Sequence, residues 1–167
     1  MAVTAEQVKE LRDLTRAGVM ECKNALEEAG GDIAKAAEIL KERGLALAEK
    51  RSDRETSQGL VECYVHAGGR IGSMVEVNCE TDFVALTDEF KMLAHDLAMQ
   101  VAATGPIAIT AEELPDDTEE APEEAVLLLQ PFIKDASRTV DEVVKEVIAK
   151  TGENIRVTRI SRFELGQ

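Results

Sequence analysis

Side chains able to hold a metal, shuttle a proton or attack a carbonyl are few in this chain and poorly spaced for joint work. Cys22, Cys63 and Cys79 are its three thiols. Their number is odd and no Cys-x-x-Cys pair occurs, so neither a disulfide framework nor a zinc ribbon is encoded, and they read as reduced, small apolar residues. His66 and His95 are the two histidines. A metal triad of Cys63, His66 and Cys79 would need all three on one side of a site, but Cys63 and His66 stand three apart on an alternating strand and point to opposite faces. Asp82, Asp88 and Asp96 could suggest proton transfer, yet each falls where a loop, a cap or a helix surface accounts for a carboxylate. No Gly-x-x-x-x-Gly-Lys-Ser/Thr, helix-opening Gly-x-Gly-x-x-Gly, His-Glu-x-x-His or Gly-x-Ser-x-Gly occurs. No catalytic residue, metal site or cofactor motif is read from the sequence.

One segment has a chemistry of another kind. Thr81-Asp82-Phe83-Val84 follows a predicted strand directly and precedes the cap of the next helix, which places a Phe in a short connection. Such a ring either plugs the local core or stands out as an aromatic anchor for a partner's pocket. Both alternatives are open on the residues alone.

The elements that must position this segment follow from periodicity. Thr4 and Gln7 form a capping box ahead of Val8, Leu11 and Leu14, predicting a first helix to about Thr15. Gly18 breaks the chain before Met20, Leu26 and Ala29, closed by Gly30-Gly31; Asp32 caps a third helix of Ile33, Ala36, Ala37 and Leu40, which Gly44 is expected to close. Leu45 to Arg54 reads as a helical connector. The period then changes: Leu60 to His66 and Ile71 to Cys79 are β-branched runs around Gly68-Gly69, predicting a hairpin with a two-residue turn, Leu60 facing Val77, Tyr64 facing Ser73 and Cys63 facing Met74. Phe90, Leu93, Leu97 and Val101 predict an amphipathic helix covering one face of the hairpin and stopping at Gly105-Pro106. Pro122 should open a helix with Val126 to Leu129 as its apolar body, ended by Pro131. Thr139 and Glu142 cap a helix of Val143, Val144, Val147 and Ile148 that Gly152 closes. A last strand, Ile155 to Phe163, changes phase between Val157 and Ile160, which predicts a bulge or early end.

Across 167 residues, 44% hydrophobic but only 3% aromatic with no Trp, the core must be aliphatic. The formal net charge of −14 repels phosphate backbones and anionic headgroups, arguing against direct nucleic-acid or membrane binding. Residues 111–130 hold eight acidic and no basic groups, so 111–124, with Pro115 and Pro122, reads as a solvated acidic linker. No apolar run approaches the roughly 18 residues of a membrane span, and the first residues lack a leader's basic-then-apolar signature, which predicts a cytoplasmic protein. The division expected is a three-helix module (1–44), a helical connector (45–58) and an α+β core (59–167) with a small antiparallel sheet packed on helices.

At this point several stretches carry a resemblance. Val8-Lys9-Glu10-Leu11-Arg12, Thr15 to Leu26 around Gly18-Val19-Met20-Glu21-Cys22-Lys23, and Gly31-Asp32-Ile33 resemble the amino-terminal module of the bacterial translation elongation factor Ts family. Glu76 to Val84 is similar to that family's best-known signature, and Gln130 to Asp135 and Arg162 to Gly166 match its late segments. The resemblance implies an exchange factor for elongation factor Tu, acting on the GDP-bound and nucleotide-free forms, with no cofactor. It implies that Asp82 and Phe83 enter the partner's nucleotide domain and disturb its Mg²⁺ site, that Thr81 and Val84 shape the loop, and that Arg12, Val19, Met20 and Asn78 bind the partner. Arg16, Val19 and Glu21 depart from commoner family residues, Gly, Met and Asp. One core half is present and a coiled-coil insertion is absent, so a homodimer is expected to supply the missing contacts. The first 44 residues also resemble a ubiquitin-associated-like bundle, which leaves a helical adaptor as the rival expectation.

Overall fold

The computed structural model describes residues 3–15 and 17–166. Helices α1 (Ala5–Thr15), α2 (Val19–Glu28) and α3 (Ile33–Arg51) come first, followed by strands β1 (Gln58–Val65) and β2 (Ile71–Cys79). Helices α4 (Asp82–Ala85), α5 (Asp88–Thr104) and α6 (Pro122–Ala125), strands β3 (Pro131–Phe132) and β4 (Asp135–Thr139), helix α7 (Val140–Thr151) and strand β5 (Ile155–Glu164) complete the chain.

Of the amino-terminal helices, α1 and α2, with 11 and 10 residues, are too short to persist in isolation and pack with the longer α3. The starts of α1 and α3 are fixed as expected. The Thr4 hydroxyl accepts from the Gln7 amide at 3.2 Å while the Gln7 side-chain oxygen accepts from the Thr4 amide at 3.0 Å. Gln7 also donates to the Gly31 carbonyl at 3.0 Å, tying the start of α1 to the α2–α3 turn. Asp32 accepts from the Lys35 amide at 3.1 Å and caps α3. Leu11, Cys22, Ala25, Leu26 and Ala36 form the buried centre of this bundle. Leu14 and Met20, expected on the apolar faces, are instead exposed. Arg16 lies outside the described residues.

The α+β part is built on a three-stranded antiparallel sheet of order β1-β2-β5. The hairpin register is the predicted one: Leu60 faces Val77, Cys63 faces Met74 and Tyr64 faces Ser73. The turn is wider than two residues, because the His66 amide bonds to the Ile71 carbonyl at 2.8 Å and the Gly69 amide returns to His66 at 2.9 Å. The β2–β5 register shifts between Glu76, opposite Arg159, and Val77, opposite Val157, leaving Thr158 as the bulge expected from the phase change. Phe90, Leu93, Leu97 and Val101 of α5 are buried with Val75, Val77 and Cys79 of β2 in one core. Gly105, at φ 59°, closes α5 in the left-handed conformation. Thr139 and Glu142 form a complete capping box on α7, and Gly152 ends it at φ 76°.

Three elements differ from expectation. Gly44 does not close α3, which continues to Arg51 and takes in the first part of the connector. A glycine weakens a helix by only about 1 kcal/mol, and here tertiary packing on α7 outweighs it. Val126 to Leu129 is not a helix body: α6 ends at Ala125, Val126 is extended, and Leu127–Leu129 makes a single 3₁₀ turn. The competing partner is the chain after α5, since the Ile107 amide bonds to Ala125 at 2.8 Å and the Leu127 amide to Ala108 at 2.9 Å. The short β3–β4 hairpin was not anticipated. The buried Gln100 holds it, donating to Pro131 at 3.2 Å and accepting from the Ile133 amide at 2.8 Å. The acidic side chains of residues 112–124 are exposed.

Candidate partner-binding site

The segment after β2 is a cap and one turn of helix. Thr81 is extended, at φ −127° and ψ 154°, and its hydroxyl accepts from the Val84 amide at 3.4 Å, so it is the N-cap of α4. Consecutive helical residues point about 100° apart, so four residues divide into two faces. Val84 and Ala85 are buried in the core, whereas Phe83 is 79% exposed and Leu86, three positions on, is 69% exposed. Asp82, also exposed, is in the first turn. The ring of Phe83 is therefore outside the subunit's own core, on a turn whose opposite side is anchored.

The supports of that turn come from distant parts of the chain. The Thr81 amide donates to Glu153 Oε2 at 2.9 Å and its hydroxyl donates to Glu153 Oε1 at 2.6 Å. Glu80 accepts from the Asn154 amide at 2.7 Å, and the Asn154 side chain donates to the Arg54 carbonyl at 2.8 Å. The Cys79 thiol donates to the Thr81 carbonyl at 3.1 Å. Burial, with the Glu153 charge adding to it, pushes that thiol up to about 11, so it stays protonated at neutral pH.

Arg12, Val19 and Met20 are exposed on the amino-terminal bundle. Arg12 and Val19 line one shallow depression between α1 and α2; Met20 is not part of its lining. Glu21 accepts from the Gly18 amide at 3.0 Å and acts as a helix-start residue. Asn78 is bonded within its own sheet, its oxygen accepting from Thr158 Oγ1 at 2.6 Å and its amide donating to Glu76 at 3.3 Å. Arg159, at 2.6 Å, holds the Glu76 carboxyl below the usual carboxylate range.

The remaining polar candidates have local partners. His66 Nδ1 lies 3.2 Å from the Tyr64 hydroxyl and His95 Nδ1 lies 3.1 Å from Glu62. Asp96 pairs with Lys134, and Asp88 sits in the first turn of α5. Cys63 is exposed and Cys79 buried, on the two sides of the sheet. Among the described residues, no group of three or more His, Cys, Asp and Glu side chains could hold a metal ion. Also among them, no helix is long and apolar enough to cross a membrane.

The family model for Elongation factor TS matches residues 1–124, which include both the bundle and the Phe83 turn. The chain belongs to the elongation factor Ts family. The Elongation factor Ts of Heliobacterium modesticaldum is 48% identical over 195 residues, covering 99% of this chain and 91% of the relative. Those of Carboxydothermus hydrogenoformans and Thermotoga maritima are 46% and 43% identical, covering 99% and 100% of this chain and 90% and 98% of theirs. As a member of the Ts family the protein is a translation elongation factor. Two features of its site had no local signal in the sequence. Glu153 is 72 residues from Thr81; the exposure of Leu86 could have been read only once Phe83 was known to lie on a helical turn.

Proposed function

We propose that the protein is the guanine nucleotide exchange factor of elongation factor Tu. It binds the GDP-loaded partner, displaces its Mg²⁺ and releases GDP so that GTP can bind, during peptide elongation in the cytoplasm. The observation that carries this reading is the exposure of Phe83 on an anchored turn, where an apolar ring is left in solvent.

Exchange of this kind breaks no covalent bond and needs only unequal affinity. A factor that binds the empty partner more tightly than the loaded one must weaken nucleotide binding by the same ratio. Each tenfold weakening takes about 1.4 kcal/mol. Burying one Phe contributes roughly 1.5–3 kcal/mol, one or two decades, so larger effects require Asp82 to perturb the Mg²⁺ and phosphate contacts as well. Thr81 and Val84 hold the turn, and Arg12, Val19, Met20 and Asn78 belong to the docking surface. The net charge of −14 disfavours nucleic acid as a direct partner.

A homodimer completes the factor. The outward side of the sheet carries Val61, Val65, Met74 and Phe163, all exposed, and supports this surface as the one facing the second copy.

The test is release of fluorescent GDP from Tu with and without the protein. Faster release, lost by about tenfold or more in Phe83→Ala with the fold retained, is the expected result. Binding to Tu without faster release would instead favour the helical adaptor, and turnover of a small substrate would point to an enzyme.

A further inference from the structure

We infer that Glu153 is a positioning residue for the exchange turn: its carboxylate, on the loop between α7 and β5, clamps Thr81 and thereby fixes the direction in which Phe83 and Leu86 project. The inference rests on the exchange reading above and adds a residue to it.

The geometry gives the clamp its specificity. One carboxylate takes both donors of Thr81, the amide at 2.9 Å and the hydroxyl at 2.6 Å. A hydroxyl that gives its proton to Glu153 must turn a lone pair elsewhere, and the Val84 amide, at 3.4 Å, is where it points. The cap of α4 is thus oriented by a residue outside it. A four-residue helix has too few internal hydrogen bonds to hold its own shape. Glu80 repeats the link one residue earlier by accepting from the Asn154 amide at 2.7 Å. The turn is therefore stitched at two successive positions to the Glu153–Asn154 loop, which Gly152 starts in the left-handed conformation.

A docking ring held in its bound direction before contact costs less conformational entropy on binding. Without the clamp, Val84 and Ala85 remain in the core, but the cap opens and Phe83 samples directions that do not fit the partner. The effect belongs to exchange and local order, not to global stability.

The experiment compares wild type, Phe83→Ala, Glu153→Ala, Glu153→Gln, Thr81→Val, Thr81→Ser and the Thr81→Val/Glu153→Ala pair. The readouts are mant-GDP release from Tu, melting temperature and amide hydrogen exchange. Glu153→Ala is expected to slow stimulated release about tenfold and speed exchange of the Val84 to Leu86 amides, which bond to Thr81 and Asp82, about as much, with melting shifted by only a few degrees. Glu153→Gln, which keeps one acceptor of the same shape, recovers part of the loss, and Thr81→Ser stays near wild type. The double variant is no slower than the slower single variant within about twofold, as expected when both residues serve one contact. Wild-type release by Glu153→Ala, or additive losses in the pair, overturns the clamp while leaving the exchange reading intact. A wild-type chain that does not speed release, or a Phe83→Ala chain as fast as wild type, overturns both.

Discussion

A Cβ placed on Gly44 would lie 2.8 Å from the Cβ of Ala149, nearer than two such carbons can stand. Helices α3 and α7 therefore meet at a point that admits only a hydrogen, and the Lys41–Glu142 ion pair, at 3.0 Å, flanks it. Gly44→Ala sets a propensity gain of about 1 kcal/mol against an overpacking cost of about 1–3 kcal/mol. The variant is expected to be less stable than wild type in urea, and Gly44→Leu less stable again. A raised denaturation midpoint for Gly44→Ala would contradict the close crossing.

That glycine also marks where local reading stops. Caps, hairpin register and the β5 bulge were legible because each is written in neighbouring residues: Thr139 with Glu142, the alternation of Leu60 to Cys79, the phase change after Val157. Gly44 obeys a contact with Ala149, over 100 residues away, and no local rule contains it. Val126 to Leu129 looked helical by composition, but its backbone bonds go to residues 108 and 109. Phe83 could be located in a connection from sequence, whereas its exposure depended on Val84 and Ala85 taking the inward side of α4. The Glu153 contact joins two loops whose spacing along the chain is arbitrary.

Leu86 should share the work of Phe83. It is three positions on along the turn and 69% exposed, so a partner pocket that takes the ring would have the leucine at its rim. Leu86→Ala is expected to slow stimulated GDP release by about threefold, less than Phe83→Ala, since a rim contact stays partly wet. Melting should not change, because the side chain is already in water. Release at the wild-type rate would show that the contact ends at Phe83.

Acid should loosen the junction of α7 with α3. The Thr139 amide, then Lys41, hold the Glu142 carboxyl below its ordinary value of 4.5. A group lowered on folding stabilises the protein fully above that ordinary value, and the contribution is lost as pH falls through the folded value. Between about pH 5 and pH 3 wild type should therefore lose more stability than Glu142→Gln, whose amide keeps the capping geometry but cannot titrate. Urea midpoints at the two ends of that range decide it; equal acid losses would remove Glu142 from the account.

The outward sheet surface offers the last test, through its own thiol. Cys63 is exposed on β1 beside Val61 and Val65, with Met74 opposite, while Cys22 and Cys79 are buried and Cys79 is raised to about 11. A maleimide should thus modify one thiol rapidly in the native protein, and that thiol is Cys63. If two copies meet through this surface, labelling must slow as concentration rises through the dimer dissociation constant, with the mass from sedimentation rising in parallel. Symmetry then sharpens the mutational test: a closed two-fold interface counts each substitution twice. Phe163, 72% exposed on β5, is the largest apolar side chain of the set, and losing its burial of roughly 1.5–3 kcal/mol in both copies weakens the dimer by two decades or more. Phe163→Asp should be monomeric at concentrations where wild type is dimeric, with Cys63 labelled at one rate throughout and the monomer's melting unchanged. Concentration-independent labelling of wild type, or a Phe163→Asp dimer as tight as the original, would move the self-association surface elsewhere.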